Sequence, residues 1–148
     1  MSEESGTTET PRSARGILDT STVILLQRLS DAAVLPSEPL ITAVTLAELS
    51  VGPLVATEER ERVARQAHLQ QAEADFDPLP FDAGAARAFG RVAASLRRSG
   101  RKANARAYDA MIAAIAVAND LPVYTCNPAD FFGIDELEIV AVPVPGIA

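Results

Sequence analysis

The chain alternates short apolar runs with longer segments whose apolar residues recur at helical spacing. Short apolar runs are typical of strands that a parallel sheet buries on both faces, and the longer segments are typical of helices that cover such a sheet. Residues 76–81 contain two prolines, which cannot donate to a strand ladder, so this run can form only a short or edge strand. The other predicted strands are residues 17–18, 40–44, 121–125 and 137–142.

Helical patterns fill the segments between these runs. Gly52-Pro53 is expected to disturb or end the second helix, and Gly100 to stop the fourth. Strands that alternate with helices predict a parallel sheet of about five strands, with helices on both faces. No internal repeat or long linker interrupts the pattern, so residues 15–148 are predicted to form a single α/β domain. The predicted helices cover residues 21–29, 45 onward, 58–74, 83–99 and 106–119.

The composition agrees with one globular domain. The chain has 148 residues, of which 48% are hydrophobic and 22% are charged, as is ordinary for a soluble protein with a substantial core. Residues 1–14 are rich in Ser, Thr and Glu and lack an apolar stretch, so we expect a disordered tail and not a signal peptide. No apolar run approaches the roughly 18 residues that a membrane-spanning helix needs.

Cysteine and histidine are too scarce for several kinds of site. The only cysteine, Cys126, cannot form an internal disulfide, which favours a reducing compartment and therefore the cytoplasm. The same count excludes a metal site built from cysteines. The only histidine, His68, gives little support to Ser-His-Asp catalysis or to a zinc site built from several histidines.

Acidic residues follow the first two predicted strands. Asp19 comes directly after the first strand, and in open α/β sheets ligands gather outside the carboxyl ends of the strands. The alternative is that Asp19 or Thr20 only caps the helix that follows. Glu48 comes soon after the second strand, but with Thr45 it also matches a capping box, in which the glutamate would only satisfy backbone amides.

Two further acids occupy comparable places. Asp109 lies early in an apolar helix, where it would also complement the helix dipole, and Asp130 follows the strand at 121–125, where it would also suit an Asx-type turn. Four carboxylates that converge in one cleft repel one another unless a cation neutralises them. Oxygen ligands without His or Cys select Mg²⁺ or Mn²⁺. Such an ion would activate water and clamp a phosphodiester.

The net charge of −7 argues against a polyanionic partner, but its distribution is uneven. Every Lys and Arg lies at or before Arg106, so the charged residues in the last part of the chain are all acidic. A compact basic run precedes that acidic part. It is either a solvated helix end or a strip that guides a polyanion to the acidic pocket. The run consists of Arg97, Arg98, Arg101, Lys102 and Arg106.

Four segments in order resemble the successive motifs of PIN-domain ribonucleases, in particular the VapC toxins of bacterial type II toxin–antitoxin systems. They are ILDTS at 17–21, TLAELSVG at 45–52, YDAMIAA at 108–114 and TCNPADF at 125–131. The resemblance implies a PIN-like sheet with its first strand central, Mg²⁺-dependent cleavage of RNA, and a homodimer. It also implies a cognate VapB-like antitoxin that blocks the acidic pocket, in a heterotetramer or larger complex.

The resemblance also assigns roles to individual residues. Asp19, Glu48 and Asp109 match the three core acids of the family, as catalytic residues and metal ligands. Many members carry an acid where Asn127 stands, so Asp130 is the nearer candidate for the fourth charge. The substrate-binding candidates are Thr20, Thr125, Asn127 and the basic run defined above. Thr125 matches a hydroxyl of the family pattern that would orient an acid or a water, although it also suits a strand as a β-branched residue.

Other functions remain open from the sequence. The same metal chemistry would cut DNA, so a DNA-directed nuclease is one alternative. A PIN domain that only binds RNA or a partner is another, because Asn127 carries no charge. A receiver-like signalling domain also collects acids at strand ends, but it needs a lysine after a late strand. The only lysine, Lys102, precedes a helix.

Overall fold

The computed structural model describes residues 14–29, 32–102 and 106–144. Within these ranges one sheet is formed by β1 (Arg15–Leu18), β2 (Glu38–Leu40), β3 (Val123–Thr125) and β4 (Ile139–Ala141). The strand order is β2-β1-β3-β4, and each neighbouring pair is parallel. The predicted parallel sheet with a central first strand is therefore confirmed.

Helices pack on both faces of this sheet, as the sequence predicts. Neighbouring strand residues point to opposite faces, so Ile17 belongs to one hydrophobic core and Leu18 to the other. Val123 and Tyr124 of β3 divide in the same way. The helices are α1 (Thr20–Leu25), α2 (Ala43–Val55), α3 (Glu59–Asp75), α4 (Ala83–Arg98) and α5 (Ala107–Ala118), with short 3₁₀ turns at Leu26–Arg28, Ala32–Val34 and Pro128–Phe131.

The second strand lies earlier than the sequence predicts. The prediction of a strand at 40–44 was wrong in its bounds, because β2 ends at Leu40 and α2 begins at Ala43. Thr42 is the N-cap of α2, and its hydroxyl accepts the backbone N–H of Thr45 at 3.1 Å. Val44 therefore enters the core from a helix and not from a strand. Thr45 lies inside the helix, so the predicted capping box with Glu48 does not form.

The fifth strand is reduced to a single bridge. Leu79 donates its N–H to the carbonyl of Ile41 at 3.0 Å and accepts the N–H of Ala43 at 2.8 Å. Pro78 and Pro80 flank Leu79 and lack a backbone N–H, so the pairing cannot extend in either direction. The sheet of the described residues has four strands, where about five were predicted.

The structure also bears on the predicted N-terminal tail and on the predicted break in the second helix. The predicted tail at 1–14 lies outside the described residues except for Ala14, whose carbonyl accepts the N–H of Glu38 at 2.7 Å. Pro53 does not end α2, which continues for two further residues to Val55. None of the helices in the described ranges is long and apolar enough to cross a membrane.

The strand register brings the acidic motifs to one edge. β1 and β3 lie side by side, with Leu18 opposite Tyr124, so the residues that follow them, Asp19 and Thr125, emerge next to each other. Helices α1 and α2 begin at the same edge, at Thr20 and Ala43. The carboxyl edge of the sheet is therefore where the predicted site residues can meet.

Candidate functional site

Asp19 is a buried carboxylate held mainly by hydroxyl groups. It is 3% exposed. It caps α1 by accepting the N–H of Thr22 at 3.1 Å, which is the capping role that the sequence offered as an alternative. Its Oδ1 also accepts the Thr22 hydroxyl at 2.6 Å, and its Oδ2 accepts the Thr125 hydroxyl at 2.7 Å. The Ser21 hydroxyl lies 3.1 Å from both oxygens. Capping alone does not explain three hydroxyl donors on one carboxylate.

Glu48 is the second carboxylate with a hydroxyl donor. Its Oε1 accepts the Thr20 hydroxyl at 2.5 Å, and the Thr20 and Thr45 hydroxyl oxygens lie 2.9 Å apart. When Glu48 is ionised, the single proton of Thr20 points to it, so Thr45 must be the donor to Thr20. Burial raises the pKa of Glu48, the hydrogen bond from Thr20 lowers it, and the nearby charge of Asp19 raises it.

Asp109 lies in the first turn of α5 and is partly buried. Burial is the main cause that raises its pKa to about 6, and the charges of Asp130, Asp19 and Glu48 raise it further, while Arg106 opposes them. No residue in the described part of the chain donates a hydrogen bond to the Asp109 carboxylate. The structure therefore brings the four predicted acids into one electrostatic cluster, in which repulsion raises the pKa of both Asp109 and Glu48.

Asp130 and Asn127 lie at the rim of the cluster. The Asp130 carboxylate pairs with the guanidinium of Arg106 at 2.9 Å, and a quarter of its side chain is exposed. Asn127 is exposed, and its backbone N–H donates to the Thr125 hydroxyl at 2.9 Å. Thr125 itself is buried and orients Asp19, which is one of the two site roles predicted for it. Asp130 thus brings a charge to the cluster, whereas the Asn127 backbone supports Thr125.

The donor chemistry of the cluster fits a hard divalent cation. Asp19 and Asp109, with Glu48 and Asp130, offer carboxylate oxygens alone, which suits Mg²⁺ or Mn²⁺. A cation would also relieve the repulsion that raises the pKa of Asp109. Within the ranges that the structure covers, however, no three carboxylate, thiol or imidazole groups already form a metal cage. The carboxylates would therefore have to draw closer together around an ion.

The basic run separates into paired and unpaired residues. Arg98 pairs with Asp135 at 2.8 Å, and Arg101 donates to the carbonyls of Ala129 and Phe132 at 2.9 and 3.0 Å. Arg106 pairs with Asp130, as described above. The other two cations, Arg97 and Lys102, are exposed and have no ion pair or hydrogen bond to any residue for which the structure gives a position.

A cavity of about 320 Å³ joins the basic run to the acidic rim. Its lining contains apolar residues and also both Arg106 and Asp130. A strand of nucleic acid that crossed the basic run would therefore arrive beside the carboxylate cluster. The lining residues are Leu96, Gly100, Arg101, Lys102, Arg106, Ala110, Asp130 and Ile134.

Sequence reasoning missed three hydroxyl residues of the site. Ser21 and Thr22 donate to Asp19, and Thr45 supports Thr20. The uninterrupted run of hydrogen-bonding residues at 19–22, directly after an apolar strand, was a signal for the first two. For Thr45 the sequence pattern predicts only a helix cap.

Known proteins share this architecture. The PIN domain family model matches residues 17–136. Ribonuclease VapC5 of Mycobacterium tuberculosis (strain ATCC 25618 / H37Rv) is 41% identical over 134 residues, which cover 87% of this chain and 96% of that protein. Ribonuclease VapC of Rickettsia bellii (strain RML369-C) is 28% identical over 131 residues, which cover 86% of this chain and 96% of that protein.

A solved structure extends the likeness to three dimensions. The crystal structure of VapBC-5 from Mycobacterium tuberculosis, a member of the VapBC family of toxin–antitoxin systems, matches with a TM-score of 0.76 and 41% identity. The match covers 87% of this chain and 99% of that chain. The predicted fold and the predicted family resemblance are both confirmed. This chain belongs to the PIN-domain family and, within it, to the VapC group.

Proposed function

We propose that this protein is a Mg²⁺-dependent endoribonuclease and the toxin of a type II toxin–antitoxin module in the cytoplasm. One observation carries the proposal: four carboxylates lie together at the carboxyl edge of the sheet, where burial first, and then the charges of Asp130, Asp19 and Glu48, raise the pKa of Asp109 to about 6. A polyanion would not approach such a cluster without a cation. The names of the relatives, two ribonucleases and a toxin–antitoxin complex, support the same function.

The residues of the cluster would have different roles in metal binding and catalysis. Asp19 and Asp109 would hold the ion, with Glu48 and Asp130 contributing directly or through water. Bound Mg²⁺ supplies an activated water and stabilises the charge that develops on the phosphodiester. Thr125 holds Oδ2 of Asp19, and Thr22 holds Oδ1, so the carboxylate would be presented to the ion in one fixed orientation. The Oε1 of Glu48 accepts the Thr20 hydroxyl, so its Oε2 would be the oxygen that takes a proton from the attacking water.

RNA would enter along the basic run. Arg97 and Lys102 are exposed, so they are available to contact phosphates, which positions the strand without reading its bases. Arg106 already neutralises Asp130 at the rim of the cluster. It would hold a phosphate only by sharing its guanidinium or by leaving Asp130. The other predicted substrate contacts, Thr20, Thr125 and Asn127, would act closer to the scissile bond.

The proposed partner is a VapB-like antitoxin that inserts a basic side chain into the cluster. The four carboxylates repel one another without a metal, and the chain has no base after Arg106 to compensate. An arginine from the partner would relieve this repulsion through a bidentate pair with a carboxylate, and it would also exclude the metal. We propose a homodimer of this chain, assembled with the antitoxin into a heterotetramer or a larger complex.

One observation favours a second candidate function. The described carboxylates do not form a ready-made cage of three ligands, and Asn127 brings no charge. A PIN domain that binds RNA or a partner without efficient cleavage would have the same features. It would show RNA binding that Mg²⁺ does not convert into cleavage.

The test measures cleavage of an RNA oligonucleotide and of the matched DNA by the purified protein, with chelator, Mg²⁺ or Mn²⁺. We expect cleavage of RNA alone, abolished by the chelator and restored by either ion. Cleavage that persists in chelator would contradict the metal mechanism, and equal cleavage of DNA would contradict the ribonuclease assignment. A purified antitoxin complex that cleaves as fast as the free protein would contradict the proposed mode of inhibition.

A further inference from the structure

Thr22 joins Asp19 to a segment that is distant in the sequence. Its side chain is fully buried, at 0% exposure, in the first turn after β1. Its hydroxyl lies 2.6 Å from Asp19 Oδ1 and 3.1 Å from the backbone nitrogen of Cys126, which is 104 residues further along the chain. One hydroxyl group therefore contacts both a candidate metal ligand and the start of the turn after β3.

The hydroxyl has a defined hydrogen-bonding polarity. The Thr22 hydroxyl carries one proton. The nearby acceptors are Asp19 Oδ1 at 2.6 Å, the Tyr124 carbonyl at 3.3 Å and the Cys126 sulfur at 3.6 Å. The carboxylate is the closest and the only charged acceptor, and charge-assisted bonds of this length are the strong ones. The proton therefore points to Asp19, and an oxygen lone pair accepts the N–H of Cys126.

The turn after β3 carries the second donor to Asp19. Thr125 precedes Cys126 and donates to Asp19 Oδ2 at 2.7 Å, and the Asn127 N–H donates to the Thr125 hydroxyl at 2.9 Å. The two oxygens of Asp19 are thus held by residues of two different elements, Thr22 on α1 and Thr125 on β3. Thr22 also fixes the backbone of the residue that follows Thr125.

We infer that Thr22 is a positioning residue. Its single hydroxyl sets both the orientation of the Asp19 carboxylate and the position of the backbone in the turn at 125–127. The inference rests on the proposed function, because it concerns how Asp19 is presented to the ion. Thr22 itself is inaccessible to substrate and ion. Its removal therefore changes kcat and metal affinity through Asp19, and leaves the binding of RNA unchanged when the metal is saturating.

The decisive variants are Thr22→Val, which replaces the hydroxyl with a methyl group of similar size, and Thr22→Ser, which keeps the hydroxyl. Loss of a group that orients a metal ligand costs roughly 10- to 100-fold in metal affinity or activity. For Thr22→Val we expect losses in that range in kcat for RNA and in Mn²⁺ affinity, with KM unchanged. The Cys126 amide should also exchange its hydrogen faster. Thr22→Ser should retain most of each property.

Ser95→Ala is the matched structural control. Ser95 is buried, and its hydroxyl also accepts a backbone N–H from a distant residue, Asp135, at 2.8 Å. It contacts none of the four acids through a hydrogen bond of the described structure. This variant should lose stability but keep the kcat and the Mn²⁺ affinity of the wild type.

Several results would overturn the inference. Thr22→Val with wild-type kcat and Mn²⁺ affinity would do so, and so would Thr22→Ser with the same losses as Thr22→Val, because the hydroxyl would then not matter. If Thr22→Val does not fold, Thr22→Cys supplies a weaker donor and must show intermediate losses; wild-type values would contradict the inference. A wild-type protein that neither binds Mn²⁺ nor cleaves RNA would overturn the proposed function itself, and this inference with it.

Discussion

The two halves of the acidic cluster are held by different forces. Asp19 and Glu48 accept hydrogen bonds from neutral hydroxyl groups, whereas Asp109 has no hydrogen-bond donor among the described residues and Asp130 relies on the charge of Arg106. Hydroxyl donors keep a carboxylate in place whether or not an ion is bound. The hydroxyl-held half is thus organised in advance, and the other half is where an ion or a partner's cation changes the energy most.

Substitutions of Asp19 and of Asp109 should have the largest effects. The two substitutions should differ in their effect on the stability of the fold and not in their effect on RNA cleavage. Asp19→Asn and Asp109→Asn should each reduce RNA cleavage by roughly 10²-fold or more, if each charge holds the catalytic ion. Asp19→Asn should also destabilise the fold by about 2 kcal/mol, because an amide nitrogen cannot accept the hydroxyl bonds that a buried carboxylate accepts. Asp109→Asn should leave stability unchanged or higher at pH 7, because it removes a carboxylate whose ionisation burial and repulsion disfavour.

Cleavage assays and metal-free chemical unfolding at pH 7 measure the two effects. Glu136→Gln is the matched control, because Glu136 is an exposed acid paired with Arg91 and lies outside the cluster. Exposed pairs contribute about 1 kcal/mol or less, so this variant should behave like the wild type. Equal destabilisation by Asp19→Asn and Asp109→Asn would show that the two halves do not differ.

Stability measured over a pH series should also distinguish the two halves of the acidic cluster, through a smaller effect. The folded protein raises the pKa of Asp109 from 3.8 to about 6, so its ionisation costs stability in full above pH 6. That cost is relieved as the pH falls through 6 toward 4, because the folded state then binds the proton more tightly than the unfolded state. Without metal, the wild type should therefore gain stability relative to Asp109→Asn between pH 7 and pH 5. A constant difference across this range would contradict the assignment.

The basic run offers the smallest predicted effect. Replacing both Arg97 and Lys102 with Ala should weaken RNA binding and flatten its salt dependence by about one unit of slope for each lost phosphate contact. Arg98→Ala should change the slope less, because Arg98 already pairs with Asp135. Binding measured over a series of salt concentrations gives the slope. An unchanged slope in the double variant would mean that the run is only a solvated helix end.

Much of the fold was predictable because its signals are local. Helices α3, α4 and α5 lie within about one residue of the predicted segments, since their periodicity and end signals agree. The bounds of β2 were not predictable from apolar content, because the Thr42 cap makes helical a run that also suits a strand. The run at 76–81 gave only one bridge, although its prolines had already limited it.

The charges of the site and the Thr125 hydroxyl were predictable, but most of the hydroxyl contacts that hold the acids were not. Asp19 and Glu48 stand out in sequence because each follows a predicted strand. The contacts that hold them join residues far apart, such as Thr22 with Cys126 and Thr20 with Glu48, and only the sheet register brings these together. The raised pKa of Asp109 likewise depends on burial and on neighbours that no local pattern reveals.

Calorimetric titration of the metal-free protein with Mn²⁺ tests the central claim most directly, because it needs neither RNA nor an antitoxin. The wild type and Glu136→Gln should bind the ion with the same affinity. Asp19→Asn and Asp109→Asn should lose more than the roughly 10- to 100-fold that removal of an orienting group alone costs. Wild-type affinity in Asp109→Asn, or no Mn²⁺ binding by the wild type, would contradict the claim that these carboxylates form the metal site.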